Sequence, residues 1–157
     1  MMRYVRALVA HPLPGLMAAG VLLLAACSSG PSAAGNPSAA AGGSSTVTVG
    51  TSASLGPYLV SPNGMTLYVF DKDPVGTTTS ACAASDGCDV TWPAFVPGSG
   101  GPSAGSGVSG TLTTITGEDG KPQVTYNGRP LYNYSGDTGA GQTNGDGVDG
   151  TWHIAKP

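Results

Sequence analysis

Charge is scarce in this chain, and positive charge scarcest: six Lys and Arg stand against nine Asp and Glu in 157 residues. Two of the cations, Arg3 and Arg6, sit at the N-terminus. Beyond them remain Lys72, Lys121, Arg129 and Lys156 against the nine acids, a charge of −5. A basic patch for nucleic acid is therefore excluded, as is the clustered Lys and Arg that holds proteins to anionic head groups. Histidine and methionine are almost missing as well. Past the N-terminal segment only His153 and Met65 remain, with no C-x-x-C-H sequence, which argues against copper and haem. Helical periodicity is absent from 46–157, and 26 glycines and 13 prolines interrupt the chain.

What is present first is an export signal. Arg3 and Arg6 supply its positive end, an apolar stretch runs over 13–24, and the small residues Ala25 and Ala26 precede Cys27. Leu24-Ala25-Ala26-Cys27 resembles the bacterial lipobox, which would make residues 1–26 the leader and Cys27 the lipid-bearing first residue of the mature chain. The competing readings are an ordinary secretory peptide and an uncleaved anchor; Pro12, Pro14, Gly15 and Gly20 make the stretch poor and short for a spanning helix. Two or more acyl chains hold a protein to a bilayer where one is marginal. The partner implied at this end is the membrane, on its extracytoplasmic face. Residues 27–45 hold, after Cys27, only Ser, Ala, Gly, Pro and Asn, with no charge and no large apolar side chain, so they read as a flexible leash of about 20 to 25 Å mean reach.

Removing Cys27 from the cysteine count leaves Cys82 and Cys88, an even pair in an oxidising compartment, expected to be bridged. Five intervening residues do not match the spacing of thioredoxin-type or zinc sites.

Residues 46–157 suit one compact domain. Within it a phrase recurs: Asn63-Gly64-Met65-Thr66-Leu67-Tyr68-Val69-Phe70-Asp71-Lys72-Asp73 and, 64 residues later, Asn127-Gly128-Arg129-Pro130-Leu131-Tyr132-Asn133-Tyr134-Ser135-Gly136-Asp137. Val60 and Val124 precede the two Asn-Gly pairs by three residues, and Asp89-Val90-Thr91-Trp92 is echoed by Asp149-Gly150-Thr151-Trp152. Asn-Gly between alternating apolar runs predicts two hairpins, each with the positive φ of a type I′ turn. Further strands are expected over 46–49, 112–116 and 151–154. The expectation is an all-β fold, a small antiparallel sandwich or barrel of two pseudo-symmetric repeats over 56–97 and 111–157. Residues 97–110, nearly all Gly, Ser, Pro and Ala, read as a mobile insertion without a strand.

Period-two alternation puts Tyr68 and Phe70 on one face and Leu67 and Val69 on the other, with Tyr132 and Tyr134 paired likewise. One reading makes these rings, with Trp92 and Trp152, the core, and gives Asp73 and Asp137 hydrogen bonds from turn amides or a tyrosine hydroxyl. The sharper reading makes an aromatic face an exposed platform for glycan, peptide or an aromatic cofactor. Calcium could use Asp71, Asp73, Asp86, Asp89, Asp137, Asp146 and Asp149, although Val148 stands where an EF-hand needs an oxygen and no Glu closes the loop. No metal or cofactor is expected. Gly101-Pro102-Ser103-Ala104-Gly105 matches G-x-S-x-G without the strand and helix that motif requires, and only His153 could serve as its base. A hydrolase using Asp73 and Asp137 would need environments that separate an acid from a base, which duplication works against.

The two Tyr-x-aromatic-x-x-Asp segments, Tyr68/Phe70/Asp73 and Tyr132/Tyr134/Asp137, together with the lipobox, the Cys82 to Cys88 to Trp92-Pro93 stretch and Trp152, resemble the bacterial lipoproteins with a repeated Yx(FWY)xxD motif, also called the secreted repeat of unknown function. The resemblance implies export and repeat boundaries, and brings no catalytic residues. The expectation is a lipid-anchored envelope protein, not an enzyme, that binds an envelope ligand or protein. The alternatives are a structural envelope component and a metal-handling or electron-transfer accessory.

Overall fold

The computed structural model describes residues 45–157; the leader, Cys27 and the linker as far as residue 44 lie outside the described residues. The strands are β1 (Ser45–Ser52), β2 (Gly56–Val60), β3 (Tyr68–Phe70), β4 (Pro102–Ala104), β5 (Leu112–Thr116), β6 (Pro122–Tyr126), β7 (Arg129–Pro130) and β8 (Trp152–Ile154). They form three small sheets, ordered β2-β1-β4, β3-β8 and β5-β6-β7. The fold is all-β; its helical turns among the described residues, α1 (Cys88–Thr91) and 3-10 turns at Ala84–Asp86 and Val148–Gly150, are too short to have left a periodicity in the sequence.

A pseudo-twofold axis runs between Tyr68 and Tyr132, whose backbones exchange both hydrogen bonds, at 2.9 and 3.0 Å. On one side Tyr68 faces Ile154 of β8; on the other Tyr132 faces Ala94. The bonds around the axis come in matched pairs. Ala155 N–H donates to the Leu67 carbonyl as Phe95 N–H donates to that of Leu131, and Asp71 N–H donates to the Thr151 carbonyl as Ser135 N–H donates to that of Thr91. The two recurring segments therefore share one backbone plan.

The central strands bury both faces, and the alternation sorts what each face receives. Leu67, Leu131, Phe95 and Ala155 meet Val47, Leu59, Val124 and Tyr126, so the hairpins β1-β2 and β5-β6 cover an aliphatic face. Tyr68, Phe70, Tyr132, Trp92 and Trp152 fill the other with Tyr58, Val60 and Ile154. Burying each side chain of this size contributes roughly 1.5–3 kcal/mol before entropy is counted.

Four sequence expectations need correction. The hairpin turns differ: Asn127 and Gly128 have φ 49° and 78°, as a type I′ turn requires, whereas of the pair Asn63-Gly64 only Gly64 is left-handed, at φ 79°. There Gly64 N–H donates to Ser61 O and Ser61 N–H to Met65 O, a type I turn with a glycine bulge, because Pro62 fixes a negative φ at the first turn position. That loop is one residue longer, so Leu59 occupies the place of Val124, not Val60: Leu59 N–H donates to Ala155 O as Val124 N–H donates to Phe95 O. The expected insertion over 97–110 contains strand β4. β4 also runs parallel to β1, with Ser45 facing Pro102 and Val47 facing Ala104, so the body is not wholly antiparallel. Small residues let its backbone close on β1: a Cβ at Gly105 would lie 2.6 Å from Thr48 Cγ2.

Candidate functional site

The two tyrosines nearest the axis send their hydroxyls into opposite repeats. Tyr68 O–H donates to Asp137 Oδ2 at 2.6 Å, and Tyr132 O–H donates to Asp73 Oδ2 at 2.5 Å. Each carboxylate takes a second bond from its own loop: Asn144 N–H reaches Asp137 Oδ1 at 3.0 Å, and Ala81 N–H reaches Asp73 Oδ1 at 2.6 Å. Each repeat thus supplies the ring that the other repeat's aspartate holds. All four side chains are buried, so an unmade bond here would leave a buried donor or acceptor unsatisfied, at about 1–3 kcal/mol.

Burial, and next the bond to the carboxylate, push both phenols well above their ordinary value of 10.0. Burial also raises Asp73 above 3.8, opposed by the Tyr132 hydroxyl, the Ala81 amide and the Arg129 charge.

The remaining motif rings form a stack across the axis: Phe70 on Trp152 at 4.2 Å, Trp152 on Trp92 at 3.8 Å, and Trp92 on Tyr134 at 4.4 Å. Its outer and inner rings are repeat counterparts. Tyr68 stands edge-on to Trp92 at 5.5 Å as Tyr132 does to Trp152 at 5.1 Å. Trp92 and Trp152 are each 3 % exposed, and Tyr68 is fully buried. The reading of these rings as an exposed platform does not hold for Tyr68, Phe70, Trp92, Tyr132 and Trp152, which are buried, while Tyr134 is half-buried. Cys82 and Cys88 are joined by a disulfide, which fastens the 71–92 loop over this stack.

The symmetry fails beside Tyr132. In the second repeat Gly145 N–H donates directly to the Tyr68 hydroxyl at 3.2 Å, and a Cβ on Gly145 would lie 2.8 Å from the Tyr68 ring. In the first repeat Cys82 stands in the corresponding place, and a relay replaces the direct bond: Cys82 N–H donates to Ser80 Oγ, whose hydroxyl donates to Tyr132. By the register Leu59 to Val124, the partner of Tyr58 is Gln123. Tyr58 packs into the aromatic core, whereas Gln123 donates Nε2–H to Leu131 O at 3.0 Å. A cavity of about 270 Å³ lies there, with Ser80, Gln123 and Tyr132 in its lining. Sequence reasoning missed Ser80 and Gln123; only a repeat alignment allowing a one-residue shift would have set Gln123 against Tyr58.

A second polar group was also missed as a group. Asp71 pairs with Arg129 at 3.2 Å and with His153 at 3.1 Å, joining both repeats at the surface. Of the other candidate calcium ligands, Asp146 accepts from Ile154 N–H at 2.9 Å, and Asp149 sits in a left-handed turn at φ 52°. Among the described residues no three His, Cys, Asp or Glu side chains converge on a common point for a metal ion. Ser103 lies in β4, its hydroxyl 3.0 Å from that of Thr46, far from a strained nucleophile turn.

The geometry defines a class: a duplicated, disulfide-stapled β body whose repeats exchange tyrosine and aspartate across a pseudo-dyad. The chain belongs to the family described as a secreted repeat of unknown function, whose profile matches residues 50–96 and 113–156, together more than half of the chain. Neither a curated protein nor a solved structure matches it.

Proposed function

We propose that this chain is a lipid-anchored protein of the bacterial cell envelope that binds a ligand or partner on the extracytoplasmic side and catalyses no reaction. The observation that carries the reading is the internal saturation of the motif. Tyr68, Asp137, Tyr132 and Asp73 bond to one another and to their own loops, so the repeated residues hold shape and leave recognition to the surface around them. The lipobox before Cys27 and the family's secreted character support the location. A hydrolase would need Asp73 and Asp137 to face a cleft as a separated acid and base, whereas here both are buried and each is held by a tyrosine hydroxyl and a backbone amide.

The test is fractionation followed by cross-linking. Cys27→Ala should move the protein from the membrane to the soluble fraction, and the tethered wild type should recover an envelope component from native membranes. Retention of Cys27→Ala on the membrane contradicts the anchor. Failure to recover any component favours the second reading, a structural part of the envelope, which burial of the motif rings supports.

A further inference from the structure

The bonds that hold the aromatic core together also prepare it for a second chemistry. Trp92 and Trp152 lie face to face at 3.8 Å and within 4° of parallel, so the loss of one electron is shared between two indoles. Tyr132 stands edge-on to Trp152 at 5.1 Å and Tyr68 edge-on to Trp92 at 5.5 Å, which sets a phenol against each indole. A phenol gives up an electron readily only when its proton can leave with it. Burial keeps both phenols protonated, which closes the route through a phenolate. The route left open moves electron and proton together, and it needs a base already in hydrogen-bond contact. Both phenols have one. Asp137 Oδ2 lies 2.6 Å from the Tyr68 hydroxyl, and Asp73 Oδ2 lies 2.5 Å from that of Tyr132. Burial raises the proton affinity of Asp73, and the Ser80 hydroxyl, 2.6 Å from that of Tyr132, remains to donate to the phenol oxygen once its proton has gone. The Tyr132 pair is therefore the stronger of the two.

The rings are buried, yet an electron crosses ring contacts that a ligand cannot. A groove of about 410 Å³ is lined by Phe70, Trp92 and Trp152, with Asp86 and Asp149 against Lys72 beside them. Its negative balance admits a neutral or cationic oxidant. From this arrangement we infer that the core is a one-electron relay: a small one-electron oxidant in the groove draws an electron from the paired indoles, and Tyr132 and Tyr68 refill them while passing their protons to Asp73 and Asp137. For Tyr132 the step leaves a neutral tyrosyl radical, a neutral Asp73 carboxylic acid and an oxidant one electron richer. An enediol reductant supplies the electron that reverses it, and Asp73 returns the proton. This activity goes beyond ligand binding and does not rest on it.

The test is pulse radiolysis of the lipidated mature protein in detergent micelles with the azide radical, an inorganic oxidant that becomes azide on taking one electron. The indole radical's absorbance should decay as the tyrosyl radical's rises, at a rate independent of protein concentration and at least twofold slower in deuterium oxide. Tyr58→Phe with Tyr134→Phe removes the other phenols of the aromatic core and should leave rate and yield within twofold. Against a Tyr68→Phe background, which isolates Tyr132, Asp73→Asn removes the proton acceptor and should slow the transfer at least tenfold. An indole radical that persists, a rate proportional to protein concentration, or loss of the tyrosyl signal in the Tyr58 and Tyr134 variant overturns the relay. An unchanged rate in Asp73→Asn does the same; should that variant fail to fold, absence of the deuterium effect in the wild type overturns it on the same point.

Discussion

A phenol buried against a carboxylate keeps its proton because burial denies water to the anion it would form, and because the carboxylate holds the hydroxyl hydrogen. Tyr68 and Tyr132 are both in this position, and the sign of the resulting pH dependence is fixed. Unfolded, each titrates near 10; folded, each stays protonated well beyond that, so the native state binds more protons above pH 10. The stability these groups contribute is complete below pH 10 and declines as pH rises, by up to about 1.4 kcal/mol per pH unit for each ring. Tyr68→Phe should therefore lose about 1–3 kcal/mol at pH 7, by leaving Asp137 short of a donor. It should then lose less than the wild type between pH 10 and 12. Urea unfolding across that range measures both; equal alkaline slopes in the two proteins would refute the account. That Tyr68 and Asp137 matter was legible from their recurrence. That each bonds the other repeat's partner was not, because a repeat shows equivalence and says nothing of which copy a side chain reaches into.

At the level of elements, the two repeats solve the same problem with different parts. The 71–92 loop is stapled by Cys82 and Cys88, while in the 135–151 loop Val148, which takes the place of Cys88, packs against the aromatic core without a covalent tie. Closing so short a loop should contribute about 2 kcal/mol by limiting the unfolded chain. Replacing both cysteines by alanine should lower unfolding stability by about that amount, read by urea titration. A loss below about 0.5 kcal/mol would mean that the Asp73 and Ser80 hydrogen bonds alone hold the loop. The pairing was readable from an even count after Cys27 was set aside. The first turn departs from the type I′ that Asn63-Gly64 suggests because Pro62 excludes its left-handed start. The strand in 97–110 is not legible in the sequence because β4 rests on backbone approach to β1, which small residues permit without leaving a pattern of alternation.

Across the whole molecule, the exchange of rings and carboxylates makes the repeats interdependent. Residues 45–97 and 111–157 expressed separately should each lack a cooperative thermal transition, and mixing them should restore one near that of the intact domain. A folded, monomeric single repeat would contradict this. The sequence by itself determined the strands other than β4, the duplication, the disulfide and the face each ring occupies, since turn chemistry, period-two alternation and cysteine parity are local properties of the chain. Only the tertiary structure decided that the rings stack upon one another, that each aspartate serves the opposite repeat, and that a cavity opens where Gln123 stands in place of Tyr58. Those outcomes depend on how two nearly equal halves meet about an axis, where a one-residue difference in loop length shifts the side chain brought to each position.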